Sequence, residues 1–301
     1  MEIAQLEIFA AVAEHGGVIK ASEALLRAPS NVSTRIKQLE RELGVQLLVR
    51  DKRQSSISSD GMAFLEYARR ILELVEESRT IGGGGAPRGR FRVGALESAA
   101  AVRIPSILAG FHLAYPDVEV ELEAGASGSM FDRVMSGSLS AVFTDGPPAS
   151  PVLAGLRAFE EQLVVISPPS TAGLDDPYWS NNPTAFVFGF QCSYRQRFDD
   201  WMAATGVVPA RSVEISSYYS MVACVASGAG IAMIPSSLLA SLPGASGVRR
   251  HEIGALGRAE TWLTWRRDAG SVNLRAFVAH VRSAVGAEES EPETPSAATP
   301  A

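Results

Sequence analysis

Residues 29–58 read PSNVSTRIKQLERELGVQLLVRDKRQSSIS. On a 3.6-residue period Val32, Ile36, Leu39 and Leu43 fall on one side, which predicts an amphipathic helix. Pro29 suits its first turn, where a missing N–H costs nothing, and Gly44 suits its end. A β-prone run, a basic turn and a second short β-prone run follow, and they read as a two-stranded wing. Working back, Ile3, Leu6, Phe9, Ala10 and Ala13 form one apolar helical face that stops at Gly16-Gly17, and a short helix spans about 18–26. The formal net charge of the chain is −6. Between Arg27 and Arg53, however, Arg27, Arg35, Lys37, Arg41, Arg50, Lys52 and Arg53 face only Glu40, Glu42 and Asp51. A basic stripe inside an acidic protein is the signature of local nucleic-acid contact.

Downstream, a helix is predicted from Asp60, a plausible N-cap, to about Ile81. Phe64, Ala68, Ile71, Leu72, Val75 and Ser78 give it a narrow apolar or small stripe, expected to meet a partner helix in preference to its own domain. GGGGAPRG, residues 82–89, supports neither helix nor strand and reads as a hinge. Beyond it strand and helix patterns alternate. Strands are expected at 91–96, 118–123, 139–144, 163–167, 185–190, 213–216 and 261–265, and helices at 99–115, 131–136, 195–205, 218–227 and 272–285. This is an α/β region with a largely parallel sheet and too many units for one compact sheet. The tail, GAEESEPETPSAATPA, has no large apolar residue and is expected to be disordered.

Several function classes fall away. No run of eighteen apolar residues is present, so no membrane partner is expected. The start of the chain carries Glu2, Glu7 and Glu14 and no early basic residue, which predicts a cytoplasmic protein. Cys192 and Cys224 are too few for a disulfide framework, and His15, His112, His251 and His280 lack metal-ligand spacing. No Gly-x-Ser-x-Gly elbow or nucleotide fingerprint supports an enzyme, and no cofactor or metal site is expected.

LEIFAAVAEHGGVIKASEAL, NVSTRIKQLERELGVQLLVRDKR, SISSDGMAFLEYARRIL, GRFRVGALES, GFQCSYRQRFDDWM and VACVASGAGIAMIP resemble, in order and spacing, the LysR-type transcriptional regulators. The resemblance covers nearly the whole chain. It implies a multidomain α+β protein: a winged helix-turn-helix over 1–59, a linker and dimerisation helix over 60–81, a hinge over 82–89, an effector domain over 90–287 and a tail over 288–301. The effector domain would hold two α/β subdomains like those of periplasmic binding proteins, about 91–160 with the return from about 261, and about 161–260, with a small molecule between them. Double-stranded DNA, a small-molecule effector, further copies of the chain in a homodimer or homotetramer, and RNA polymerase are the implied partners. The family commonly has Ser-Gln entering the recognition helix where this chain has Ala28-Pro29, so its base contacts do not carry over. The usual threonine of the wing's return strand is Ser58.

The N-terminal end of a recognition helix meets base edges, which nominates Ser30, Asn31 and Thr34. Asn31 either pairs bidentately with adenine or satisfies backbone N–H groups at the helix start. Arg35 and Lys37 suit phosphates, and Ser33 completes the helix set. Arg50 and Arg53 flank the wing; either follows the backbone or a minor groove, and Arg50 alternatively pairs within its domain. Effector candidates are Ser98, Ser127, Gly128, Thr144, Ser193, Tyr194, Arg195, Ser216 and Ser217, which lie at strand ends and helix starts. Each serine alternatively serves as a helix cap. Arg195 either pairs an anionic ligand or binds Asp199 one turn on. Cys192 is read as structural.

Overall fold

The computed structural model describes residues 1–51, 54–80 and 85–286, with the side chains of 50, 51, 54, 55, 73, 76, 77, 79 and 80 outside the description. The chain divides into two units, Met1–Gly85 and Ala86–Ala301, and the division lies within the expected hinge.

In the first unit, α1 (Ile3–Glu14), α2 (Val18–Ala24) and α3 (Pro29–Leu43) precede an antiparallel hairpin of β1 (Leu48–Asp51) and β2 (Gln54–Ile57). The helix α4 (Ser59–Thr80) follows. Leu6, Ile8, Phe9 and Val12 from α1 bury against Val32, Ile36 and Leu39 of α3 and Leu65 and Ala68 of α4. α3 ends as its sequence requires, with Gly44 in the left-handed conformation. Glu40 ties the wing to this helix: its Oε1 accepts the N–H groups of Leu47 at 2.9 Å and Leu48 at 3.1 Å.

One expectation is corrected here. The cap of α4 is Ser58, not Asp60: its Oγ accepts the N–H of Gly61 at 2.8 Å and donates to Gln46 O at 2.5 Å. A hydroxyl, unlike a carboxylate, does both. Phe64, Ile71 and Leu72 of the stripe pack against the core of their own unit and stay partly exposed. The large apolar side chains that α4 leaves in water are Met62, Tyr67 and Leu74.

The second unit begins with β3 (Gly89–Leu96), α5 (Glu97–Val102), α6 (Ile104–Ala114), β4 (Val118–Gly125), α7 (Ser127–Ser136) and β5 (Ala141–Asp145). β6 (Leu153–Ser167), β7 (Ala185–Val187), α8 (Ser193–Thr205), β8 (Ser212–Glu214), α9 (Tyr218–Ala226), β9 (Ile231–Pro235) and α10 (Ser236–Ser241) follow. β10 (Arg249–Glu252), β11 (Arg258–Arg266) and α11 (Val272–Val285) end it. The strands run β4-β3-β5-β11-β6-β9-β7-β8, with β10 also on β6.

The outer pairings β3·β4, β3·β5, β7·β8 and β7·β9 are parallel, as the alternating pattern predicts. The central ones are not. β11 is antiparallel to β5 and β6, and β6 is antiparallel to β9 and β10. β6 is fifteen residues long; its first part pairs with β11 and its last five residues with β9 or β10. One strand therefore belongs to two sheet halves. The expected helix over 99–115 is two helices, α5 and α6, meeting at Arg103. Pro105 has no N–H to extend a helical ladder back to Ala101, so the helix restarts.

The first half packs Phe91, Phe111, Phe143 and Phe277 together, with Phe111 and Phe277 edge to face at 5.0 Å. The second packs Tyr218, Met221, Val222 and Val225 of α9 against Val164, Ile166, Ala232 and Ile234.

Candidate nucleic-acid interface and effector cleft

Because α3 buries Val32, Ile36 and Leu39, its opposite side presents Ser30, Asn31, Thr34, Lys37 and Arg41 to solvent. The residues differ in how free they are. Thr34 Oγ1 donates to Ser30 O at 2.8 Å. Arg35 is half-buried and its Nη1 donates to Glu2 Oε2 at 2.8 Å, so its charge is met inside the unit. Ser33 is half-buried beside the core face. The N-cap residue is Ala28, which has no polar side chain to cap the helix, and Asn31 is exposed. Among the described residues Lys37 has no ion pair. Arg50 lies on β1 with its side chain outside the description, and Arg53 lies outside the described residues.

In the second unit the helix starts converge where the halves meet. Ser127 opens α7 in the first half and Ser193 opens α8 in the second; their Oγ atoms are 3.0 Å apart. The N–H of Gly128 donates to Gln191 O at 3.2 Å. Ser98 is buried and adjoins the phenols of Tyr194 and Tyr218. Burial pushes both phenols well above the ordinary tyrosine value, with Asp145 and Glu161 adding to the rise at Tyr194. Glu97, half-buried at the start of α5, has its carboxyl raised by burial. Thr144 is buried on β5, opposite Trp262 of β11.

Other candidates are occupied elsewhere. Ser217 Oγ accepts the N–H of Ser220 at 3.4 Å and so caps α9, while Ser216 is exposed. Arg195 follows its structural alternative. Nε donates to Asp199 Oδ2 at 2.9 Å, Nη1 donates to Phe188 O at 3.0 Å, and the guanidinium lies 4.6 Å from the Phe190 ring centre. Cys192 is buried, and that burial raises its thiol pKa, which disfavours a reactive thiolate.

The sequence reading missed Arg197. Its Nε and Nη2 grip Asp145 Oδ2 and Oδ1 at 2.8 and 3.0 Å, and its Nη1 donates to Arg258 O at 3.0 Å. Helical spacing was the available signal: Arg197 lies four residues after Ser193 and shares its face, whereas Arg195 lies two after and points away.

Two family descriptions match the chain in tandem. Residues 3–62 match the bacterial regulatory helix-turn-helix protein of the lysR family, and residues 84–286 match the LysR substrate binding domain. The chain belongs to the LysR family. It is a DNA-binding transcriptional regulator with an effector-binding domain, and not an enzyme. The HTH-type transcriptional regulator GltR of Bacillus subtilis is 30% identical over 285 residues, covering 94% of this chain and 96% of GltR. The regulator CzcR of Bacillus subtilis is 34% identical over 244 residues, covering 80% of this chain and 83% of CzcR. The crystal structure of CbnR, a LysR family transcriptional regulator, shares the fold with a TM-score of 0.66 at 24% identity, over 95% of this chain and 99% of CbnR.

A buried histidine of this LysR-family regulator lies away from these candidates. His251 of β10 is buried, its Nε2 is 2.7 Å from Ser167 Oγ, and Trp179 meets it edge-on at 5.1 Å. Burial, then Arg249, holds its pKa below the ordinary imidazole value, and Asp176 opposes this. The unfolded chain therefore takes up this proton more readily than the native one. The contribution of His251 to stability is complete above about pH 6.5 and is lost as pH falls through the native pKa. The melting temperature is expected to fall on acidification below about pH 6.5, and His251→Gln should flatten that fall. Glu97, with its pKa raised, acts with the opposite sign at lower pH, so the difference between variant and parent is the quantity to measure. Parallel melting curves for the two proteins would deny His251 this role.

Proposed function

We propose that this LysR-family regulator reads a roughly palindromic operator through paired α3 helices and is switched by a small molecule held between the halves of its second unit. A homodimer or homotetramer supplies the pairing, RNA polymerase is the downstream partner, and the cytoplasm is where a bacterial regulator meets its DNA. The observation that carries the DNA reading is the outward face of α3, where Asn31 and Lys37 are exposed and Lys37 has no ion pair among the described residues. Convergence of Ser98, Ser127, Ser193 and Tyr194 supports the cleft. From the sequence, helix-start N–H groups, serine hydroxyls and Arg195 together favour an anionic ligand. With Arg195 engaged by Asp199 and the Phe188 carbonyl, the site is defined by hydroxyl donors and a half-buried carboxyl, and its ligand is a polar small molecule of no assigned charge.

Footprinting on the DNA upstream of the protein's own gene tests both parts, with and without a metabolite panel. Lys37→Ala should weaken binding to all sequences alike and reduce the log–log salt slope by roughly 0.9, the loss of one phosphate contact. Asn31→Ala should cost on the order of 1–3 kcal/mol on the preferred operator and little on random DNA. Equal losses on both DNAs would return Asn31 to a role within the helix, and an unchanged slope would take Lys37 off the phosphates.

A further inference from the structure

The two halves of the effector domain are stitched together by direct contacts. α8 supplies three stitches on its first two turns or just before them, and Arg103 pairs with Glu161 across the halves at 3.7 Å elsewhere. Gln191 O accepts the N–H of Gly128, Ser193 meets Ser127, and Arg197 clasps Asp145 at the end of β5. Ser193 and Arg197 are one helical turn apart, so a single face of α8 is held against the first half of the domain.

The ionic stitch dominates. The Asp145 side chain is only 6% exposed, and both its oxygens are taken by one planar guanidinium, the strong bidentate arrangement. Opening this contact gives up two charge-assisted hydrogen bonds at once. The third donor of the fork is held by Arg258 O at the start of β11, so Arg197 also pins the strand on which the halves turn. β6 and β11 are the connections that run through both halves, and their ladder shifts register between Thr261 and Trp262. A bulge there marks where the ladder bends. Asp145 is the register partner of Thr261, so the charged clasp sits beside the bend itself, with the serine pair one turn away along α8.

We propose that Asp145 and Arg197, with Ser127 and Ser193 beside them, form a latch that holds the two halves closed in the resting protein, so that the switch works by releasing α8 and not by closing an open cleft. The closed resting state stands on the latch geometry alone. Its link to switching rests on the proposed effector cleft. An effector that seats at Ser98 and Tyr194 reaches α8 one residue from Ser193, where small movement is felt by the clasp. Two discrete arrangements of a packed interface, biased by a ligand, are what such a switch requires.

The test uses the full-length chain with Ser127→Cys and Ser193→Cys, in a Cys224→Ser background that removes the half-exposed thiol. Hydroxyl oxygens 3.0 Å apart place the new thiols within reach of a disulfide. Under mild oxidation without any ligand, the bond between positions 127 and 193, mapped by mass spectrometry, should form readily in the folded protein. Adding Asp145→Asn should slow it several-fold, Arg197→Lys should slow it less, and Asp200→Asn, an exposed acid on the same helix, should not slow it. Failure of the folded parent to cross-link would overturn the closed resting state. Equal rates with Asp145→Asn would overturn the latch, and Arg197→Lys gives the same decision if the asparagine variant folds poorly. None of these outcomes depends on finding an effector, so a metabolite panel that leaves the footprint unchanged would count against the cleft reading alone.

Discussion

Tyr67→Glu combined with Leu74→Glu is expected to leave the chain folded, monomeric at micromolar concentration and unable to hold its operator. Both side chains stand in water on α4, at 66% and 55% exposure, and they lie seven residues apart on one helical face. A glutamate there costs the isolated chain little, because nothing of its own core touches the site. In a helix-to-helix dimer the same glutamates would be buried without counter-charges, at a cost of several kcal/mol. A single winged unit then meets one half-site, and affinity falls towards the non-specific level. Leu72→Glu is the informative contrast, since Leu72 packs on the unit's own core and its variant should unfold the unit instead. Light scattering after size exclusion decides the matter. A double variant that still runs as a dimer would place the main interface off α4.

How legible each region was follows from how local its determinants are. α3 could be bounded to the residue because Pro29, the Val32-Ile36-Leu39 spacing and Gly44 are all local signals. α11 was equally legible, with Ser271 as its cap and Leu274, Phe277 and Val281 buried at helical spacing. β6 was not. LAGLRAFEEQ, its first two-thirds, carries Arg157, Glu160, Glu161 and Gln162, and reads as loop until β11 is laid beside it. Antiparallel pairing at the centre is a long-range property, and no window of the sequence contains it. β10, RRHE, is strand only because its backbone completes the edge of β6.

The site divides along the same line. Outward residues of α3 follow from helical period, so Asn31 and Lys37 could be placed in advance. That Arg35 meets Glu2 could not, since the partner lies thirty-three residues away. In the second unit, strand ends and helix starts were enough to gather Ser98, Ser127, Ser193 and Tyr194. Position alone could not say which arginine is bound to its own helix and which reaches across. Asp199 decides the first and Asp145 the second, and only the second requires the fold.

Gly61→Ala is expected to destabilise the DNA-binding unit, although alanine is the better helix former. A Cβ at this position would stand 2.2 Å from Leu47 O and 2.7 Å from Ile57 Cγ2. Leu47 O already accepts the N–H of Ser58 at 3.0 Å, and the N–H of Leu47 is bound to Glu40, so this backbone has little room to yield. Helix propensity favours alanine by about 1 kcal/mol. Overpacking against fixed atoms typically costs about 1–3 kcal/mol, and a backbone oxygen belongs at the upper end of that range. The clash therefore wins, and the first turn of α4 must move off the backbone that leads into the wing. For a unit of this size each kcal/mol lost lowers the melting temperature by roughly 4–8 °C. Operator affinity should fall with it, because the wing and α3 are joined through Glu40 to the same stretch of chain. The measurement is thermal and denaturant unfolding of the variant beside its parent. A variant as stable as the parent would mean that α4 sits farther from Leu47 than these contacts state, and the joint between wing and linker helix would then be loose.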